Sequence, residues 1–224
     1  MSLSELSRKL EIPKSTMFKL LHTMTLQGFL ERNEDTGKYR PGRRLLSLNH
    51  TILSSQELSR TAYPYLKILS KRTGLVAHLT CYEHGEVIWL MKVGEGHQPP
   101  LYSRVGRRIP AYAPASGKAI LAFLDAGQVD QLVGYRWKTL TPKTNMDKKK
   151  FLEELYATKQ NGFSIQREEV DLGVASLAVP IFNALQKPVA GISVAGYEQY
   201  FSKRRMRDIR VAVKQTAKEI AENI

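Results

Sequence analysis

The run Leu3-Ser4-Glu5-Leu6-Ser7-Arg8-Lys9-Leu10-Glu11-Ile12-Pro13-Lys14-Ser15-Thr16-Met17-Phe18-Lys19-Leu20-Leu21-His22-Thr23-Met24 holds two short helical patterns joined by a break. Leu3, Leu6 and Leu10 recur at the spacing of one helix face. Ser2 and Glu5 have the spacing of a capping box, in which each side chain satisfies the other's free backbone N–H. Pro13 disfavours helical geometry at Ile12 and so ends the first helix. A second helix starts near Lys14 or Ser15, with Ser15 a candidate cap. In it Met17, Leu20, Leu21 and Met24 share one face, Ser15, Lys19 and His22 point the opposite way, and Thr16 and Phe18 flank them. This is the layout of a helix-turn-helix, whose second helix offers a polar, cationic surface to a major groove. It is also the layout of an ordinary amphipathic pair with a solvated outer face. The next residues favour the first reading. Gly28-Phe29-Leu30 ends the helix and opens an extended run, Asn33-Glu34-Asp35-Thr36-Gly37 is turn chemistry, and Lys38-Tyr39-Arg40 returns as a strand before Pro41-Gly42. A β-hairpin directly after a helix-turn-helix is a wing. Candidate DNA contacts are therefore Lys14, Ser15, Thr16, Lys19 and His22 from the helix, with Lys38 and Arg40 from the wing. A plain solvated hairpin remains the alternative for the last two.

The 224 residues suggest one or two domains, and a 42% apolar content is ample for a core. No run approaches the ~18 uninterrupted apolar residues of a membrane helix, so no membrane partner is expected. The N-terminus lacks the basic-then-apolar plan of a signal peptide. Cys81 is the one cysteine, which excludes a disulfide within the chain and fits the cytoplasm. The net charge of +13 favours polyanionic or anionic-lipid partners and says nothing of fold. It is spread along the chain: residues 1–50 hold nine Lys/Arg against five Asp/Glu, about +4 of the total. Charge alone does not locate a DNA site, though it makes binding salt-sensitive.

Arg43 to Gln56 reads as a stiff linker helix with more apolar positions than one buried stripe needs, so a second copy of the chain is expected to cover some of them. Glu57 to Thr73 continues helical, with Pro64 as a break or first-turn residue and Gly74 as its end. Strands are expected over Val76–Tyr82, Glu86–Val93, Gln98–Arg104, Phe163–Arg167, Ser176–Phe182 and Val189–Ala195. Helices are expected over Ser116–Leu124, Asp125–Val133, Asp147–Gln160 and Lys203–Glu222. Hairpin-like strands with interposed helices make an α+β domain with an antiparallel sheet.

Catalytic constellations do not assemble. Ala115-Ser116-Gly117-Lys118 lacks both the earlier glycine and the following Ser or Thr of a phosphate loop, Tyr112 and Ala119 standing there. Gly117 at a helix start could still serve a small anion, or simply close packing. Cys81 with His78 or His84 invites a nucleophile–base reading, but His78 and Cys81 on one strand point to opposite faces and no Asn or Asp is placed as the orienting third member, which favours a buried structural cysteine. Five His and one Cys show no zinc-ligand spacing. Glu168 and Glu169, as strand neighbours, would face apart. No cofactor and no metal are implied.

Two stretches carry a resemblance. One is Leu3-Ser4-Glu5-Leu6-Ser7 through Pro13-Lys14-Ser15-Thr16 to Leu20-Leu21, Gly28-Phe29-Leu30 and Gly37-Lys38-Tyr39. The other is Gly162, Glu169, Ser176-Leu177-Ala178 and Ile181-Phe182-Asn183. Over nearly its whole length the chain resembles the IclR family of bacterial transcriptional regulators. Arg72-Thr73-Gly74 adds to the likeness. Tyr102-Ser103-Arg104-Val105-Gly106-Arg107 resembles the branch that controls sugar-acid breakdown. The resemblance implies a winged helix-turn-helix over residues 1–42, a linker helix over 43–56 and a GAF-like effector domain over 57–224. It implies dimers or tetramers on palindromic operators, and a small carboxylate or aromatic acid as effector. Family pocket positions fall on Ala115, Ser116, Gln166, Val174, Ser176, Ser193 and Ala195. Where the family usually has Asp or Ser, this chain has Gln166; the neutral amide adds N–H donors and suggests a more anionic or differently shaped ligand. Family members also carry a helix ahead of the reading head, whereas this chain starts almost at the brace helix. The reading is a DNA-binding regulator, a repressor of a catabolic operon, in which effector binding shifts the linker helices. The rival is a small-molecule enzyme or sensor whose N-terminal helices only dimerise it.

Overall fold

The structure, a computed structural model, describes residues 1–46, 57–94 and 101–224. The chain divides into two compact units, Met1–Gln56 and Glu57–Ile224. The first holds α1 (Leu3–Leu10), α2 (Lys14–Leu26) and the strands β1 (Leu30–Arg32) and β2 (Tyr39–Pro41). The capping box forms: the Ser2 N–H donates to Glu5 Oε2 at 2.6 Å and the Glu5 N–H to Ser2 Oγ at 3.3 Å. Glu11 then turns the chain in a left-handed conformation, φ 55°, and the Ser7 hydroxyl closes the turn on the Ile12 carbonyl at 2.7 Å. α2 starts at Lys14 behind Pro13 without any side-chain cap. The expected Ser15 cap is absent because Ser15 already lies within the first turn. Met17 and Leu21 are buried as the apolar stripe requires. Leu20 and Met24, expected beside them, are 48% and 43% exposed and open into an apolar cleft of about 470 Å³ with Leu6, Leu10 and Ile12.

β1 and β2 pair antiparallel, with Glu31 opposite Arg40. Asn33 Oδ1 holds their turn, accepting from the Thr36 N–H at 2.8 Å and its hydroxyl at 2.7 Å. The chain start adds to this hairpin, since Met1 and Tyr39 exchange N–H···O bonds of 2.8 and 3.1 Å. Of the linker helix expected over Arg43–Gln56, residues 44–46 are helical and 47–56 lie outside the described residues.

The second unit begins with α3 (Glu57–Thr73), which carries Pro64 inside it. There follow β3 (Val76–Glu83), β4 (Glu86–Val93), β5 (Arg108–Pro110), α4 (Ala115–Leu121), α5 (Ala126–Gly134) and α6 (Lys148–Asn161). The chain ends through β6 (Ser164–Arg167), β7 (Val174–Phe182), β8 (Pro188–Tyr197), a 3₁₀ turn at Glu198–Tyr200 and α7 (Lys203–Ala221). The six strands form one antiparallel sheet in the order β5-β4-β3-β8-β7-β6. The two-residue period sorts its faces. Ala77, Leu79, Leu177, Val179, Ile192 and Val194 join Leu66 and Leu69 of α3 and Val213 and Ile220 of α7 in one core. On the other face Val87, Trp89 and Ile109 pack with Ile120, Val129, Phe151 and the neighbouring helices α4 to α6.

The strand expected over Gln98–Arg104 does not form in its described part, residues 101–104. There the Tyr102 N–H goes to the Asp171 side chain and Ser103 to His78 instead of to a strand neighbour. The outer strand is Arg108–Pro110, which pairs with β4. Glu168 and Glu169 likewise lie after β6 rather than on it, Glu168 at φ 60°.

Candidate functional site

On the first unit, Lys14, Ser15, Thr16, Lys19 and His22 are all exposed along α2, which contains no acidic residue. Phe18 is 54% exposed between them and stacks on His22 at 5.8 Å. The helix therefore presents a cationic, hydroxyl-bearing surface with one aromatic step. Lys38 and Arg40 are exposed on the wing. They differ in freedom: Arg40 pairs with Glu31 across the hairpin at 2.8 Å, and Arg43 approaches the same carboxylate at 3.8 Å.

On the second unit, register brings distant residues into rows. Ser164, Ala178, Ser193 and His78 stand opposite one another across β6, β7, β8 and β3. Gln166, Ser176, Ala195 and Val76 make the next row. α4 crosses this face at close range. A Cβ on Gly117 would lie 2.0 Å from the Ala111 carbonyl oxygen, so only glycine fits. A small chamber of about 40 Å³ remains between α4 and the sheet. Ser116, Gln166, Val174, Ser176, Ser193 and Ala195 line it, as do His78, Trp89, Ser103 and Asp171. Ala115, the remaining expected position, does not line it. That residue is wholly buried against Ala119 and Ala178, and its carbonyl accepts from the Ser164 hydroxyl at 2.5 Å.

The polar groups of the chamber have fixed roles. The Glu169 N–H donates to Gln166 Oε1 at 2.9 Å, so the Gln166 amide must turn its NH₂ inward, where it reaches Ser176 Oγ at 3.1 Å. His78 Nε2 lies 2.8 Å from Ser103 Oγ. Burial, aided by the Lys92 charge, pushes the His78 pKa down to about 3, so the imidazole is neutral. So weak a base is unsuited to activating the Ser103 hydroxyl at neutral pH. Cys81 packs on the opposite face, against the core of α3 and α7.

Behind the chamber lies a buried ion cluster. Lys118 is 1% exposed, and its Nζ donates to Glu154 Oε2 at 2.7 Å and Glu169 Oε1 at 2.6 Å. Burial holds the Glu169 carboxyl above its ordinary range, against the pull of Lys118. Because Glu169 also fixes Gln166, the cluster orients a chamber wall. A larger open cleft of about 460 Å³ between Phe182 and Lys218 has no comparable convergence of buried polar groups. Among the described residues no group of three or more His, Cys, Asp or Glu could hold a metal ion, and no helix is long and apolar enough to cross a membrane.

His78, Trp89, Ser103 and Asp171 were not among the residues expected to line a site. The signal available for His78 was its place among apolar residues on a strand, which reads equally as a satisfied core histidine. Ser103 and Asp171 reach the chamber from loops, where periodicity is silent.

A winged helix-turn-helix unit joined to a separate α+β unit that holds a small chamber lined in part by polar side chains is the build of a DNA-binding regulator. The chain belongs to the IclR family of transcriptional regulators: residues 1–34 match the IclR helix-turn-helix domain and residues 50–222 the C-terminal domain of bacterial transcriptional regulator IclR. It is similar to the HTH-type transcriptional regulator XynR of Escherichia coli, 32% identical over 196 residues, covering 87% of this chain and 78% of that one. It is also similar to the E. coli regulator KdgR, 28% identical, covering 98% of this chain and 84% of the relative. Among solved structures, Thermotoga maritima IclR superposes with a TM-score of 0.78 at 29% identity, covering 99% of this chain and 90% of that one. An IclR homologue complexed with 4-hydroxybenzoate, from Microbacterium hydrocarbonoxydans, shares the fold with a TM-score of 0.82 at 24% identity, covering 100% of this chain and 90% of that one. The family and these relatives are regulators of transcription and not enzymes, which removes the enzymatic rival.

Proposed function

We propose that the protein is a repressor of a catabolic operon that reads a palindromic operator as a homodimer or tetramer and answers to a small carboxylate or sugar acid. In this reading Lys14, Ser15, Thr16, Lys19 and His22 meet the major groove and its flanking phosphates. Lys38 and Arg40 meet the backbone, Lys38 with its charge near the Glu5 carboxylate and Arg40 sharing its charge with Glu31. The effector sits in the chamber against Ser116, Gln166, Val174, Ser176, Ser193 and Ala195. The enclosed cluster of hydroxyls around the inward NH₂ of Gln166 carries the effector half of this reading, since convergent buried donors are what an oxygen-rich ligand needs. The 4-hydroxybenzoate held by the Microbacterium protein supports a regulator tuned to small organic molecules. A regulator of chromosomal DNA works in the cytoplasm.

The operator half is tested with Lys19→Ala. If Lys19 meets a base edge, operator affinity falls by roughly 1–3 kcal/mol and discrimination relaxes at that position. An unchanged affinity removes Lys19 from the reading surface. The effector half is tested by thermal shift against carboxylates, sugar acids and 4-hydroxybenzoate, because a ligand bound only to the native state raises the melting temperature.

A further inference from the structure

We propose that His78 and Asp171 are specificity residues of the effector chamber, each reading a hydroxyl of a polyhydroxylated ligand after exchanging its present bond to residues 102 and 103. This inference rests on the effector reading above and narrows it.

The chamber's size is the first observation. About 40 Å³ is room for little more than a water molecule, whereas pockets for small organic ligands are several-fold larger. A wall must therefore move for a ligand to enter. The wall made by the strands is fixed by continuous sheet bonding, and that of α4 by its approach to Ala111, which leaves no slack at Gly117. One loop side is Val170 with Asp171; the other is the stretch at Tyr102 and Ser103. It is tied in by side-chain bonds: Tyr102 N–H to Asp171 Oδ2 at 3.0 Å, Ser103 Oγ to His78 Nε2 at 2.8 Å, and Lys92 Nζ to the Ser103 carbonyl at 3.0 Å.

The second observation is where those ties lie. An outer cavity of about 500 Å³, lined by Tyr102, Ile109, Leu140 and Leu172, shares Val170 and Asp171 with the inner chamber. The Tyr102–Asp171 bond thus spans the boundary between the two. A ligand that displaces Ser103 and Tyr102 inherits their partners, His78 and Asp171.

The third is chemical. No lysine or arginine side chain lines the chamber, and its one formal charge is the Asp171 carboxylate. A carboxylate accepts and never donates, so what replaces the Tyr102 N–H must be a donor; a ligand hydroxyl is one. Neutral His78 can donate or accept, and a hydroxyl satisfies it either way. Gln166, held with its NH₂ inward, takes the opposite kind of atom, a carboxylate or carbonyl oxygen. A ligand with hydroxyls and one acidic or carbonyl end meets all three requirements. An acid without hydroxyls brings Asp171 a like charge and no donor to replace the Tyr102 N–H, which Lys92 and Arg107 nearby offset only as charges.

Calorimetry on the full chain tests this with two matched panels: the four- to six-carbon aldonates with D-glucitol, and butanoate, pentanoate and hexanoate with 4-hydroxybenzoate. At least one hydroxylated probe should bind, and the alkanoate of the same length at least tenfold more weakly. For that probe Asp171→Ala and His78→Gln should each cost about tenfold or more, the scale of a lost hydrogen bond to a charged or buried partner. Asp171→Asn, which keeps an acceptor for Tyr102, should retain the native melting temperature and still narrow the gap between aldonate and alkanoate. Alkanoates or 4-hydroxybenzoate binding as tightly as the aldonates, or aldonate affinity indifferent to both Asp171→Ala and His78→Gln, overturns the inference and leaves the effector reading standing. Binding by neither panel overturns both.

Discussion

A neutral histidine on the sheet and a buried lysine on the helix that crosses it each exist there only because of residues far away in sequence. Lys118 finds its carboxylates 36 and 51 residues downstream, at Glu154 and Glu169. Nothing in the local run Ser116-Gly117-Lys118-Ala119 announces that pairing; the phosphate-loop reading fails there, yet the lysine still reads as a surface residue. His78 is legible as an apolar-strand histidine but not as a chamber residue, since Ser103 reaches it from a loop. Its state makes a testable demand. Its folded pKa of about 3 lies below the ordinary value of 6.5, so the fold favours the neutral form. That contribution is complete above pH 6.5 and is lost as acidification proceeds toward 3. Glu169 and Asp171, both held above their ordinary range by burial, work in the opposite sense and are present in wild type and variant alike. Between pH 7.5 and pH 5 the wild type should therefore lose about 2 kcal/mol more stability than His78→Gln, at ~1.4 kcal/mol per pH unit below 6.5. Urea unfolding of both proteins at the two pH values measures the difference, and parallel losses would mean His78 is not held neutral.

Among elements, periodicity and punctuation specify structure where both are strong. Glu57–Thr73 forms over its expected span, and the wing forms around Asn33 as the turn residues require. The strand expected over Gln98–Arg104 does not form in residues 101–104, because alternation there resembles a strand while the bonding partners are side chains on other elements. Lys38 and Arg40 looked equivalent in sequence, and only the cross-strand register with Glu31 distinguishes them. Of the seven expected chamber positions, six line the cavity and Ala115 is spent on packing α4 against β7. That packing makes α4 sensitive at Gly117. A methyl there would collide with the Ala111 carbonyl at 2.0 Å, which backbone alone can relieve. Gly117→Ala should cost about 1–3 kcal/mol of stability through overpacking. It should also displace Ser116 from the chamber, so the thermal shift given by any effector falls with it. Wild-type stability in Gly117→Ala, measured by denaturant unfolding, would show that α4 can move away from Ala111 at no cost.

For the molecule as a whole, composition said less than arrangement. A charge of +13 marks a polyanion partner without choosing the surface, because most of it lies beyond residue 50. What identifies a regulator is that a reading head and a ligand chamber occur in different units of one chain, Met1–Gln56 and Glu57–Ile224. If the two communicate, the coupling is a free energy shared by both sites and must be the same seen from either. Suppose an effector weakens operator binding by some factor. Saturating operator must then weaken effector binding by that same factor, typically about 5- to 150-fold in regulated proteins. Both limbs are measurable on the full chain: operator titration with and without saturating effector, and effector calorimetry with and without an operator duplex. They must share one salt concentration, since phosphate contacts make the operator limb fall steeply with ionic strength while effector binding to a chamber within Glu57–Ile224 should not. Equal factors would establish that the chamber governs the reading head. Effector binding that is indifferent to operator would leave the chamber as a site without authority over transcription.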